Sequence, residues 1–192
     1  MTRPPLHPSV DYSFDGVVAE IRLSRPERLN AVDVGLTRGL VAALTHVGED
    51  GARAVVLSGA GRAFCAGHDL KEEPAAETVL QTRARLEEIQ EVTRLVRRLP
   101  APVVAAVHGY ALGAGAEFAL GCDVVVAAED AVFGFPEVSV GLSVTGGISR
   151  LLPALVGWAR AKELLLLGER VSGPDAAAMG LVARCVPTGE HG

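Results

Sequence analysis

"PVVAAVHGYALGAGAEFALGCDVVVAAED", residues 102–130, decides the fold. Its ends, "PVVAAVHG" (102–109) and "CDVVVAAED" (122–130), are short β-branched apolar runs of the kind buried in parallel sheets. The stretch between them is apolar nearly all round, which predicts a buried helix. Strand, helix and strand in this order read as an α/β protein. Glu117 does not fit, being the only acid between Gly109 and Cys122. An ionised carboxylate in apolar surroundings is costly unless it is paired or has a task.

Working outward, the same alternation continues. "VVAEIRLS" (17–24) reads as a strand, and "DVGLTRGLVAALTHV" (33–47) as a helix with Leu36, Leu40, Leu44 and Val47 on one stripe behind a capping Asp33. "ARAVVLSG" (52–59) is a buried strand running into the loop "GAGRAFCAGHDLKEEP". A loop so rich in glycine and small residues brings its backbone close to something. From 79 to 99, Leu86, Ile89, Val92, Val96 and Leu99 recur at helical spacing with Arg and Glu opposite, which predicts a surface helix. "AVFGFPEVSVGLSVTGG" reads as a short strand and turn, followed by helices over 147–156, 158–167 and 174–180 and a last strand in "LVARCVP". Residues 1–192 are expected to form a single domain, with 1–9 as an N-terminal arm. No low-complexity segment or tandem repeat stands out.

Composition excludes several classes. A chain of 192 residues, nearly half of them apolar, can bury a sizeable core. The formal charge of -5, with Arg and Glu mixed along the same segments, leaves no basic stripe for nucleic acid. No apolar run reaches the roughly 18 residues of a membrane span, and "MTRPPLHPSVD" has no apolar core for a signal peptide, so a cytoplasmic location is expected. Cys65, Cys122 and Cys185 form no Cys-x-x-Cys pair, and His7, His46, His68, His108 and His191 include no i, i+4 pair. No metal site is expected.

Three chemistries compete for Glu117. A dinucleotide-binding turn fails because the third glycine of G-x-G-x-x-G falls on Phe118 and Glu117 would repel a pyrophosphate. A hydrolase elbow at Ser143 fails because Thr145 stands where glycine is needed. The third uses backbone N–H groups to hold an oxyanion while carboxylates move protons. It fits two Gly-rich loops, "CAGHD" and "LGAGAE", each following an apolar strand, and a second isolated acid, Glu137 in "FGFPEVSV". Such a site suits chemistry next to a carbonyl.

"RPERLNAV", "AFCAGHDLKE", residues 102–142, "TGGISRLLPALVG" and "AAAMGLV" together resemble the enoyl-CoA hydratase/isomerase, or crotonase, superfamily. The resemblance implies a crotonase-like spiral of repeated β-β-α turns, with a buried helix carrying the active site, assembled as trimers or pairs of trimers. It implies an acyl-CoA thioester substrate, a place in fatty acid metabolism, and no cofactor beyond the coenzyme A of the substrate itself. The oxyanion hole would be the N–H groups of His68 and Ala114, the latter more often glycine in the family. CoA would lie along Ala66, Gly67, Asp69, Leu70 and Gly113, with Arg25 or Arg28 reaching a phosphate. Glu117 and Glu137 match the two catalytic acids of the hydratases, whereas isomerases commonly keep only the acid at the position of Glu137. Hydration of a 2-enoyl-CoA by a hydro-lyase is therefore expected. Double-bond isomerisation and a non-catalytic acyl-CoA-binding or subunit-interaction role are the alternatives. Relatives continue past the final strand into helices that cover the acyl pocket, while this sequence stops at "CVPTGEHG". The expected consequences are exposed apolar surface and either self-association or a rearranged terminal segment in which about 158–180 folds over the core.

Overall fold

The computed structural model describes residues 3–71 and 78–191. The end of the loop read as "GHDLKEEP", from Glu72 onward, lies outside them, as do the first two residues of the N-terminal arm. Six strands form the main sheet: β1 (Val10–Phe14), β2 (Val18–Leu23), β3 (Ala54–Gly59), β5 (Val103–Val107), β7 (Val124–Ala128) and β10 (Arg184–Val186). They lie in that order, and all neighbours are parallel except the β1–β2 hairpin. A smaller sheet holds β4 (Ala63–Cys65), β6 (Tyr110–Leu112), β8 (Val132–Gly134) and β9 (Arg170–Ser172), with only the β8–β9 pair antiparallel.

The two sheets are wound by one motif used three times. β3, β5 and β7 each enter the main sheet, cross within a few residues to β4, β6 and β8 in the small one, and lead into a helix. Those helices are α2 (Val79–Arg98), α3 (Ala114–Gly121) and α4 (Ile148–Leu167). α1 (Val34–Asp50) precedes the first turn and α5 (Gly173–Ala178) follows the last. This is the expected α/β spiral of β-β-α turns.

Local chemistry accounts for the boundaries. Asp33 caps α1 by accepting a hydrogen bond from Leu36 N–H at 2.7 Å, and Thr78 and Gln81 form a reciprocal capping box on α2. α4 breaks at Gly157, whose backbone is not helical, so the two helices expected over 147–156 and 158–167 meet end to end. The reading placed the larger strands correctly and passed over β1, β4, β6 and β9. α3 is buried along almost its whole length, from Ala114 to Leu120, between the sheets and α2. No helix among the described residues is long and apolar enough to cross a membrane.

Candidate active site

The site rests on a frame built from "RPERLNAV". Asn30 is fully buried, and its amide donates to the carbonyls of Ala60, Ala63 and Phe64 at 2.9, 2.8 and 3.2 Å while its oxygen accepts from Arg25 N–H. Buried polar groups survive only when satisfied in this way. The Arg25 guanidinium bonds the Ala31 carbonyl at 2.6 Å and pairs with Asp33 and Asp69 at 3.0 and 3.2 Å. The carboxylate of Asp69 is thus committed to Arg25, and Arg25 to the frame. Arg28 stays exposed, one residue before Leu29, whose carbonyl accepts from Ala66 N–H. Leu70 is also exposed, at 70%.

This frame presents the "CAGHD" loop to the start of α3. Gly67 has φ +92, and a methyl group there would lie 2.8 Å from the Leu112 carbonyl oxygen. Gly113, with φ +50, is the N-cap of α3; its methyl would lie 3.9 Å from Gly67 Cα and 2.9 Å from Glu137 Oε1. Only glycine at both positions lets the two loops and the acid approach so closely. The flanking N–H groups, of His68 and Ala114, have no protein acceptor among the described residues. That of Ala114 is the first of α3, where unpaired N–H groups and the helix dipole favour negative charge. The imidazole of His68 is half-buried, and burial, with the nearby charge of Arg85, holds its pKa below the usual value.

Glu117 lies in the first turn of α3 and is 3% exposed. Thr145 satisfies it twice, through its N–H to Oε1 and its hydroxyl to Oε2, both at 2.6 Å. Burial raises the pKa of Glu117 above the ordinary carboxyl range, and the Thr145 bonds oppose that rise without cancelling it. Glu137 sits in the 3-10 turn Pro136–Val140 after β8. Its Oε2 is buried without a protein partner. Its pKa is also raised, first by burial and further by the charge of Glu117, with a backbone hydrogen bond acting the other way.

The spiral therefore brings Gly67, Gly113 and Glu137 into close approach, with Glu117 one turn into α3, while the side chains of Asp69 and Arg25 turn to the frame and Arg28 and Leu70 stay exposed. In the sequence Thr145 reads only as a break in a hydrolase elbow, because its bonds to Glu117 exist only across the gap between α3 and the turn before α4. Two carboxylates raised by burial stand beside open N–H groups at a helix start, an arrangement able to hold an oxyanion and exchange protons beside it. No group of three or more ligating side chains suited to a metal ion occurs among the described residues.

The fold is that of the crotonases. An enoyl-CoA hydratase from Bacillus anthracis superposes with a TM-score of 0.87 at 38% identity, over 93% of this chain and 70% of that one. An enoyl-CoA hydratase from Mycobacterium avium subsp. paratuberculosis gives 0.86 at 34%, over 97% and 71%. The enoyl-CoA hydratase/isomerase family model matches residues 13–191, and the chain belongs to that family. A Rhodobacter capsulatus relative named "Probable enoyl-CoA hydratase" is 41% identical over 93% of this chain and 69% of its own length. A Bos taurus relative named "Enoyl-CoA hydratase domain-containing protein 2, mitochondrial" is 38% identical over 91% and 60%. The chain spans between three fifths and seven tenths of these relatives.

Proposed function

We propose that this chain adds water to the double bond of a 2-enoyl-CoA thioester, giving the 3-hydroxyacyl-CoA. The observation that carries this reading is the pairing of Glu117 and Glu137 about Gly113, both with raised pKa values. A water held between the acids loses a proton to an ionised carboxylate as its oxygen bonds to the β-carbon. Electrons of the double bond move to the thioester oxygen, where the N–H groups of His68 and Ala114 hold the enolate. The α-carbon then takes a proton from a carboxyl group, so one water is added overall. Raised pKa values suit both acids to this exchange near neutrality.

Leu70 and Arg28, both exposed beside the "CAGHD" loop, are read as contacts for the adenine and a phosphate of CoA. Ala66, Gly67 and Gly113 would line the path of the thioester arm, and Asp69 would act there through its backbone. Exposed Trp158, Leu166 and Leu167, at 70, 67 and 64%, support self-association through α4. The test is the loss of enoyl-thioester absorbance with crotonyl-CoA. Glu117→Gln and Glu137→Gln should each lower kcat by at least about a hundredfold. Near wild-type turnover in either variant removes that acid from the mechanism.

A further inference from the structure

Behind the turn that holds Glu117, a cleft of about 430 Å³ opens between α2 and the start of α4. Gln90, Thr93, Arg94 and Arg97 line it from α2, and Gly146 and Arg150 from the other side. No acidic side chain is among its walls. Arg94 pairs with Glu91 at 3.1 Å, but Arg97 and Arg150 have no ion-pair partner among the described residues. Both are exposed, and they line the same opening.

Arg97 alone has an ordinary explanation, because cations in the last turn of a helix favour its dipole, and it lies in the last turn of α2. Arg150 has the opposite placement. It lies in the first turn of α4, where a cation opposes the dipole, and that turn has neither an acid nor a side-chain cap. Sequence that breaks a local rule without internal compensation marks a place where something external supplies it. An anion between the arginines would pair with both and complement the helix start.

We propose that this cleft binds a carboxylate or phosphate group through Arg97 and Arg150, with Arg94, Gln90 and Thr93 completing its polar wall. Its position links it to the candidate active site. Gly146 forms part of the cleft, yet a methyl group on Gly146 would lie 3.0 Å from Glu117 Oε2, and the adjacent Thr145 holds that carboxylate. The anionic group is either the far end of an acyl chain ending in a carboxylate or a free anion seated behind the turn. The cleft itself stands whether or not the chain is a hydratase, since binding is read without turnover.

Calorimetry with adipyl-CoA, hexanoyl-CoA and inorganic phosphate separates the sources. The variants are Arg97→Ala/Arg150→Ala, with Arg22→Ala, which pairs with Asp11 on β1, as the charge control. If the acyl end is the ligand, adipyl-CoA binds about tenfold or more tighter than hexanoyl-CoA, and the double variant removes the difference. If a free anion is the ligand, phosphate binds wild type and the control alike, the double variant loses it, and the two thioesters bind equally. Equal binding of all three ligands by wild type and double variant overturns the proposal, as does an equal loss in Arg22→Ala.

Discussion

Thr145→Val removes one atom's worth of chemistry from the site. Valine keeps the shape of threonine and the N–H that reaches Glu117 Oε1, so only the hydroxyl bond to Oε2, 2.6 Å long, is lost. With Glu117 3% exposed, little solvent can replace it. A hydrogen bond to a charged group contributes about 1.5–3 kcal/mol. For a chain of this size each kcal/mol moves Tm by about 2–4 °C, so a fall of roughly 3–12 °C is expected above the pH at which Glu117 ionises. The same bond favours the ionised carboxylate, so its loss moves the acid limb of the pH profile of kcat/KM to higher pH. Below that limb kcat/KM should fall by up to about tenfold, the worth of about 1.4 kcal/mol, with recovery as pH rises through it. Thr145→Ser, which keeps the hydroxyl, should resemble wild type in both thermal melts and pH profile. If valine and serine behave alike in both, the hydroxyl does not position Glu117.

Three further outcomes are expected. Gly113→Ala places a methyl 2.9 Å from Glu137 Oε1 at a φ of +50, and should reduce kcat at least about a hundredfold by moving an acid and the Ala114 N–H together; turnover close to wild type would show that this close approach is dispensable. His68→Ala keeps the backbone donor and should leave kcat within about tenfold, while a far larger loss with an unchanged circular dichroism spectrum would bring the imidazole into the chemistry. The folded pKa of Glu117 is raised above its unfolded value, so the native state binds more protons and stability falls as pH rises from the ordinary carboxyl range through the raised value. Glu117→Gln lacks that loss, so its Tm should gain on wild type as pH rises; parallel Tm curves would mean that burial does not raise Glu117.

Much of the molecule was readable because its signals are local. The runs at 52–59, 102–109 and 122–130 are long and β-branched enough to be strands without knowledge of their partners, and Asp33 announces its helix. β4, β6 and β9 have three residues each and hold their conformation only through pairing with each other and with β8, which no window of sequence displays. The β-β-α winding was legible only through the family resemblance, not through any repeat in the residues. Its helices have 20, 8 and 20 residues, so the turns repeat in space without repeating in sequence. At the site, Glu117 and Glu137 stood out as acids among apolar residues, whereas Asn30 and Thr145 are ordinary polar residues until folding gives them carbonyls or a carboxylate to serve.

The helix starts separate framework from site. α1, α2 and α5 begin on Asp33, Thr78 and Ser172, each accepting a hydrogen bond from its own first turn. α3 and α4 begin instead on Gly113 and Gly147, at φ +50 and +79, with no side-chain cap. A glycine N-cap is weaker than a bonded side-chain cap by only a few tenths of a kcal/mol, so glycine at 113 and 147 leaves those N–H groups open at little cost. Of the two exceptions, α3 carries Glu117 in its first turn, and α4 starts just after Thr145 and Gly146, which meet that carboxylate. A serine or aspartate at 113 would occupy the N–H groups at the start of α3 and set an oxygen beside Glu137, closing the site to a thioester oxygen. At 147 it would satisfy the start of α4 and weaken the case for an anion beside Arg150. At both places a glycine in the capping position leaves the first N–H groups of the helix without a side-chain acceptor, beside Glu137 at α3 and three residues before Arg150 at α4.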